Sequence, residues 1–206
     1  MPHVPEPTVV FRSRFNGVLS VVFWVVCAGA LTASVAAGAY GPTAAISIAV
    51  VYLAAVVYFV LWRPRLSLDD RAITVHNVLQ TVTVPWEALI LVDTKFALTL
   101  VTPDRRVSVW CAPAPGATGA LRASREQGTR ARSWTQASEV RPGDLDGTDS
   151  GRAAAIVRER WDALRESGSI PLGTAHEARV GVRWSTAAIA VLVLGAVATV
   201  AGFALL

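Results

Sequence analysis

Three long apolar segments without a charged side chain constrain this sequence more than any motif in it. Residues 17–39, 43–62 and 184–206 contain none of the 19 Lys and Arg residues and none of the 15 Asp and Glu residues. A helix needs about 20 such residues to cross a hydrocarbon layer of roughly 30 Å. The sequence therefore predicts three membrane-spanning helices. The first two form a hairpin, 17–62, and a long segment separates the second from the third.

Arginines beside these segments predict their orientation. Arg12 and Arg14 precede the first segment, whereas 40–42 and the C-terminal end are uncharged. Basic flanks of short spans stay in the cytoplasm, and Trp is favoured at the membrane interface. We therefore expect 1–16 and 63–183 inside and the C-terminus outside. The candidate membrane-surface contacts are Trp62, Arg63, Arg65, Arg179, Arg183 and Trp184.

The first apolar segment also has features of a secretory signal peptide. Arg12 and Arg14 supply a basic start, and Ala37-Gly38-Ala39 resembles a small-residue cleavage site. The segment is longer than the roughly 7–15 apolar residues of a signal peptide, however, and a second span follows it closely. Lipoprotein processing is disfavoured by the large Val26 before Cys27. We favour a membrane span.

Charge balance and cysteine content limit the segment between the second and third spans. Residues 63–183 hold 17 basic and 14 acidic side chains without a basic run of five. This balance is not typical of a nucleic-acid-binding protein, so we expect no nucleic-acid partner. Cys27 and Cys111 lie in different predicted regions, and we expect both to be buried apolar residues without a disulfide.

The sequence holds no pattern that indicates catalysis or cofactor binding. His3, His76 and His176 are far apart and have no neighbouring Cys or paired carboxylates. Neither a glycine-rich phosphate loop nor a Gly-x-Ser-x-Gly elbow occurs. Residues 144–149 resemble a calcium loop only weakly, because Ala155 stands where such a loop needs Glu. We therefore expect no enzyme activity, cofactor, metal or small-molecule substrate.

After residue 63 the hydrophobic pattern becomes alternating, which is typical of strands with one buried face. Turn residues such as Asp69-Asp70 and Pro103-Asp104 separate short apolar runs, so we expect an antiparallel, meandering sheet over 63–113. The predicted strands are 66–68, 73–76, 81–86, 89–92, 96–102 and 106–111. Their predicted inner face contains Ile73, Val75, Val82, Val84, Leu98, Leu100, Val107 and Val109.

Three further segments follow the predicted sheet. Residues 114–150 are rich in small and polar residues and are predicted to be a flexible linker, in which Trp134 docks on the sheet, meets the membrane interface or binds a partner. Helical periodicity at 151–167 predicts an amphipathic helix capped by Asp149 or Ser150. Residues 168–183 are a predicted juxtamembrane segment. The apolar stripe of the helix is Ala154, Val157, Trp161 and Leu164, and Val157, Trp161 and Leu164 are candidate interaction residues.

Three short motifs in this region resemble a known family. Arg63-Pro64-Arg65-Leu66 follows a span, and Val84-Pro85-Trp86-Glu87 and Val109-Trp110-Cys111-Ala112-Pro113 include predicted strands. Behind two spans, they are similar to the bacterial PH-domain family named for low molecular weight protein antigen 6. The resemblance covers about 63–116 and implies a bacterial α+β membrane protein. A cytoplasmic PH-like antiparallel sheet would be completed by the C-terminal amphipathic helix. It implies no catalytic residues, and the third span and long linker depart from the family pattern.

Small residues at four-residue spacing predict close helix contacts in two of the spans. Gly29, Ala33 and Ala37 share one face of the first span, and Gly195 and Thr199 share one face of the third. Such faces let helix backbones approach closely in a membrane. We expect packing within this chain, and contacts with another membrane subunit are the alternative.

Two functions from different classes agree with these observations. The first is a non-enzymatic, membrane-anchored adaptor or scaffold that binds a protein partner or assembles an envelope complex at the inner face of the cytoplasmic membrane. A homo-oligomer is included in that expectation. The second is an anionic-lipid-sensing module, although Asp69 and Asp70 oppose phosphate binding at the first hairpin. An accessory subunit of a membrane enzyme or transporter is a third option. The predicted spans of this chain hold no Asp, Glu, Lys, Arg or His, which disfavours a transport path built from this chain alone.

The predicted orientation is testable with reporter fusions to the full chain. An enzyme reporter that is active only outside the cytoplasm should be active when fused after Leu206 and inactive when fused at Gly119, because the arginine flanks hold 63–183 inside. Reporter activity with the opposite pattern would overturn the orientation.

Overall fold

The computed structural model describes residues 8–36, 40–113, 148–170, 173 and 175–205. These residues form an α+β structure with two compact units. We call them the helical unit and the sheet unit. The helical unit takes the described residues within 14–64, 78–80 and 184–206, and the sheet unit takes those within 1–13, 65–77 and 81–183.

Four α-helices and eight strands occur in the described part of the chain. The helices are α1 (Arg14–Ala36), α2 (Tyr40–Val57), α3 (Asp149–Glu166) and α4 (Thr186–Ala204). A π-helical turn, Tyr58–Trp62, extends α2. The strands are β1 (Val9–Phe11), β2 (Arg65–Leu68), β3 (Ala72–His76), β4 (Gln80–Pro85), β5 (Leu91–Asp93), β6 (Ala97–Val101), β7 (Arg106–Pro113) and β8 (Gly181–Trp184).

Three helices are long and apolar enough to span a membrane, as the sequence predicts. Their ends differ from the prediction. Residues 40–42, which the sequence leaves between the first two predicted spans, belong to α2, because that helix begins at Tyr40. Pro42 is tolerated there, since the first turn of a helix leaves its N–H groups without intrahelical partners. The third span begins at Thr186 rather than at Trp184, which belongs to β8.

Within the helical unit, α2 contacts both α1 and α4. A Cβ atom on Gly195 would lie 2.9 Å from Cε2 of Tyr52, so α2 and α4 meet too closely there for a larger residue. Gly202 faces Ala45 in the same way at ordinary contact distance. Packing within this chain is therefore confirmed for Gly195. A Cβ atom on Gly29 would meet nothing within 4 Å, so that position of α1 is open.

The strands form two sheets rather than the one that the sequence predicts. The first sheet has the order β1-β2-β3-β4-β8, and the second has the order β5-β6-β7. The pairs along β1 to β4 and along β5 to β7 are antiparallel. All six predicted strands are present with small shifts of their ends. The short strands β1 and β8 were not predicted, since three or four residues carry little periodicity.

The predicted inner face is confirmed, because each of its eight residues is at most 4% exposed. Helix α3 contacts β5, β6 and β7, and it buries Ala154, Val157 and Leu164 in the core of the sheet unit. The apolar side of α3 therefore faces the core of the sheet unit. Val157 and Leu164, two of the three candidate interaction residues, are therefore buried within the sheet unit.

Both ends of α3 have recognisable caps. Thr148 is the N-cap, and its Oγ1 accepts a hydrogen bond from the Gly151 N–H at 2.9 Å, so the prediction of Asp149 or Ser150 is wrong. The Asp149 carboxylate instead accepts from Ser13 and pairs with Arg152. At the C-terminal end Gly168 has a φ of 70°, and the Ser169 N–H donates to the Leu164 carbonyl at 3.0 Å. This is a Schellman motif, in which glycine is favoured.

Side chains connect the two sheets where the backbone ladders stop. The Asn77 Nδ2 donates to the Ser108 carbonyl at 2.8 Å, and its Oδ1 accepts from the Trp110 N–H at 3.0 Å. Asn77 thus pairs with β7 as a peptide group would.

Trp86 is 1% exposed, and its Nε1 donates to the Asp69 carbonyl at 2.7 Å. The Trp of the second motif therefore anchors the turn between β2 and β3.

The close approach at Gly195 gives a stability prediction. Gly195→Val should lower the free energy of unfolding by about 1–3 kcal/mol, because the new side chain overlaps the Tyr52 ring. Unfolding of the purified full chain in mixed micelles measures the change. Gly29→Val is the matched control and should be nearly neutral. Equal losses in both variants would contradict the packing assigned to Gly195.

Candidate functional site

Arg63, a candidate membrane-surface contact, makes several internal contacts. One guanidinium nitrogen donates to the Val78 carbonyl at 2.6 Å, and the other donates to the Ser185 hydroxyl at 3.0 Å. The guanidinium also lies 6.0 Å from the centroid of the Phe59 ring. The Ser185 N–H donates to the Leu79 carbonyl at 2.8 Å. Arg63 therefore joins the end of α2, the β3–β4 turn and the start of α4 within the helical unit.

The two tryptophans beside the spans have different surroundings. Trp62 lies 5.3 Å from Trp24 between ring centroids, and the Trp24 Nε1 donates to the Ala54 carbonyl at 3.2 Å. Trp62 is thus part of the packing between α1 and the π-helical turn. Trp184 is 63% exposed at the end of β8. Only Trp184 presents most of its ring to the surroundings, as expected for an interfacial anchor.

Arg65 and Arg183 share one row across the outer face of the first sheet. Arg65 is paired with His76, and His76 is paired with Thr81. Next to β4 lies β8, where a Cβ atom on Gly181 would be 3.8 Å from Cβ of Thr83. The Ser185–Leu79 hydrogen bond continues the same ladder, which places Arg183 opposite Thr81. The row is therefore Arg65, His76, Thr81 and Arg183, and we call it the arginine row.

The arginine row is polar and has no carboxylate in it. Val182 packs against the core, so Gly181 and Arg183 on either side of it point outward. The neighbouring outward row contains the hydroxyls of Ser67, Thr74 and Thr83. Among the described residues, neither Arg65 nor Arg183 makes a hydrogen bond through its side chain or an ion pair. Oγ1 of Thr81 lies 3.4 Å from Nδ1 of His76.

The acidic hairpin that opposes phosphate binding lies at the other end of the first sheet. Asp69 and Asp70 follow the last residue of β2, whereas Arg65 is its first residue. The Asp69 carboxylate accepts from the backbone N–H groups of Arg71 and Ala72, and Asp70 pairs with Arg160 of α3. Both carboxylates are thus used within the sheet unit. These carboxylates would therefore repel a phosphate at the hairpin but not one at the arginine row.

Two other predicted residues lie outside this row. Arg179 is exposed and precedes β8, and no described residue forms an ion pair with it. Trp161 is partly buried against the core, with the Arg165 guanidinium 5.1 Å from its ring centroid. A cleft of about 240 Å³ is lined by Trp161 and Arg165 together with Trp86 and Glu87. Trp134 and the rest of the predicted linker up to 147 lie outside the described residues.

Exposed apolar side chains lie on the outer face of the second sheet and in its turns. Trp110 of β7 and Leu91 of β5 are each 53% exposed, and Phe96 in the β5–β6 turn is 80% exposed. Trp110 belongs to the third motif, and its ring points outward while Val109 and Cys111 are buried. Burial of Cys111 and Ala112 in succession follows from an irregularity in the β6–β7 register. Sequence alternation predicts outward Trp110 but does not assign it a role.

Histidines, cysteines and carboxylates are the groups that would support metal or thiol chemistry in the part of the chain that the structure describes. No cluster of three or more His, Cys, Asp or Glu side chains there is able to hold a metal ion. Cys27 and Cys111 are buried and unpaired with each other. Burial raises the pKa of the Cys111 thiol to about 12, and Asp149 adds to the rise. The thiol is thus neutral near pH 7 and is a poor nucleophile.

Comparisons of the chain with protein families, curated proteins and solved structures found no match.

The contacts of Arg63 predict a structural rather than a lipid-binding role. Arg63→Gln should lower the free energy of unfolding by about 1–3 kcal/mol, because the Val78 carbonyl and Ser185 hydroxyl lose a charged donor. Arg179→Gln removes the same charge from an exposed position and should be nearly neutral. Chemical unfolding of the full chain in detergent tests both. Arg63→Gln with wild-type stability would show that these hydrogen bonds are dispensable.

Proposed function

We propose that this chain is a non-enzymatic membrane-anchored adaptor whose sheet unit binds a protein partner. The observation that carries the proposal is the set of exposed apolar side chains on the second sheet, Leu91, Phe96 and Trp110. Large aromatic residues on an accessible surface are typical of binding hot spots. Three apolar helices supply the membrane anchor. The partner would present an apolar surface to the second sheet.

The interaction surface would lie on the second sheet rather than on α3. The stripe of α3 is occupied by its own sheet, so only Trp161 and the adjoining cleft remain accessible there. Trp110 and Leu91, in contrast, stand on the outer face of β5, β6 and β7, where each is 53% exposed among the described residues. Large aromatic side chains exposed on a folded unit are frequent at protein contacts.

A PH-like fold and membership of the antigen 6 family are part of the same proposal. Strands β2 to β7, arranged in two sheets and followed by one helix that packs on β5, β6 and β7, support the PH-like assignment. The buried Trp86 and outward Trp110 give the resembling motifs structural roles. With bacterial origin and the arginine flanks, the sheet unit would lie in the cytoplasm beneath the inner membrane.

Anionic-lipid recognition is the second candidate function, and the arginine row favours it. Arg65 and Arg183 are cations on one face of the first sheet, and the nearest hairpin acids are used elsewhere. An adaptor of this kind can bind a partner on one sheet and lipid on the other, so the two functions are compatible.

Co-purification tests the adaptor proposal. The tagged full chain, extracted from its native membrane in mild detergent, should retain a stoichiometric protein partner. The double variant Leu91→Ser and Trp110→Ser should lose at least about 90% of it, since aromatic anchors dominate interface energies. Val10→Ser is the matched control, because Val10 is 52% exposed but lies on the first sheet. Absence of a stoichiometric partner, or equal loss with the control, would overturn the proposal.

A further inference from the structure

We propose that the arginine row binds the phosphate group of an anionic membrane lipid. The inference rests on the second candidate function, anionic-lipid recognition, and assigns it a site. Arg65 and Arg183 stand at the two ends of the row, with His76 and Thr81 between them. Adjacent strands are separated by about 4.8 Å, so the two arginine Cα atoms are roughly 14 Å apart. An extended arginine side chain covers about half of that separation.

Both guanidinium groups can therefore reach one phosphate above His76 and Thr81. Arginine presents several N–H donors in a planar arrangement that matches phosphate oxygens. The Thr81 hydroxyl and the His76 ring face the same side at the centre of the row, with Oγ1 and Nδ1 3.4 Å apart. A phosphate there would accept from the arginines at both ends. No other row on this face has cations at both ends within the described strands.

Charge complementarity favours an anion at the row. The strand β2 begins at Arg65 and ends before the acidic hairpin, so at least about 10 Å of strand separates the carboxylates from the row. Asp70 is further neutralised by Arg160. Neither Arg65 nor Arg183 has an ion pair among the residues the structure describes, so an arriving phosphate displaces no carboxylate of those residues.

Chain connectivity favours a lipid over a free anion as the source of the phosphate. Arg65 is three residues beyond Trp62, the last residue of the π-helical turn, and Arg183 is three residues before Thr186, the first residue of α4. Three residues span at most about 11 Å. Both arginines are thus tethered close to the ends of apolar helices, where lipid headgroups are concentrated. Cations near an anionic membrane surface are attracted to it.

Native mass spectrometry of the full chain in a neutral detergent tests the site. The probes are dihexanoyl phosphatidic acid, dihexanoyl phosphatidylcholine and inorganic phosphate. We expect one phosphatidic acid to bind, with phosphatidylcholine and inorganic phosphate at least about tenfold weaker. Arg65→Gln and Arg183→Gln should each weaken binding about fivefold, and the double variant about 25-fold. The control double variant, Arg71→Gln with Arg106→Gln, removes two exposed charges elsewhere on the sheet unit and should change affinity less than about twofold.

Each contrary result has a distinct meaning. If the control loses as much affinity as the row variant, general charge attraction explains binding and the site is wrong. Inorganic phosphate that binds as tightly as phosphatidic acid would overturn the lipid source. Selective binding of phosphatidic acid that survives the row double variant would reject the row and leave lipid recognition standing. A wild-type chain that binds no anionic probe would reject both. Circular dichroism and the elution volume of every variant confirm that it is folded.

Discussion

Hydrocarbon provides no hydrogen-bond partner for a peptide group, and this constraint governs the rest of the structure. Each apolar segment must satisfy its own backbone, which only a helix does within one segment. The three apolar helices follow from that requirement, and so does the exclusion of every charged side chain except Arg14 at the start of α1. Polar side chains inside them follow the same rule. The Ser20 hydroxyl donates to the Asn16 carbonyl, and the Thr199 hydroxyl donates to the Gly195 carbonyl.

Outside those helices, alternation of apolar and polar residues takes over. Each short strand buries one face, and two sheets with α3 enclose a core of aliphatic side chains around Trp86. The edges of the second sheet are not left open. Asn77 pairs with β7, and the Arg158 guanidinium donates to the Val92 carbonyl of β5. Side chains thus satisfy some of the backbone groups that a further strand would otherwise pair.

The proposed function rests on two surfaces of the sheet unit. The second sheet offers exposed aromatic and aliphatic groups, and the first sheet offers a row with arginines at both ends. These two faces have different chemistry, and under the proposed function they would let one chain contact a protein and a lipid separately. Arg63, which belongs by sequence to the same basic flank as Arg65, has a different role because its guanidinium is turned toward Val78 and Ser185.

The sequence by itself determined the elements whose physics is local. Apolar length predicts the three long helices, alternation predicts six strands and their buried face, and the stripe of α3 predicts its buried side. Tertiary structure decided everything that depends on distant residues. Strand β8 joins the first sheet about a hundred residues after β4, so only the fold brings Arg183 into the row of Arg65. The split into two sheets, the cap at Thr148 and the internal contacts of Arg63 likewise depend on partners that periodicity does not reveal.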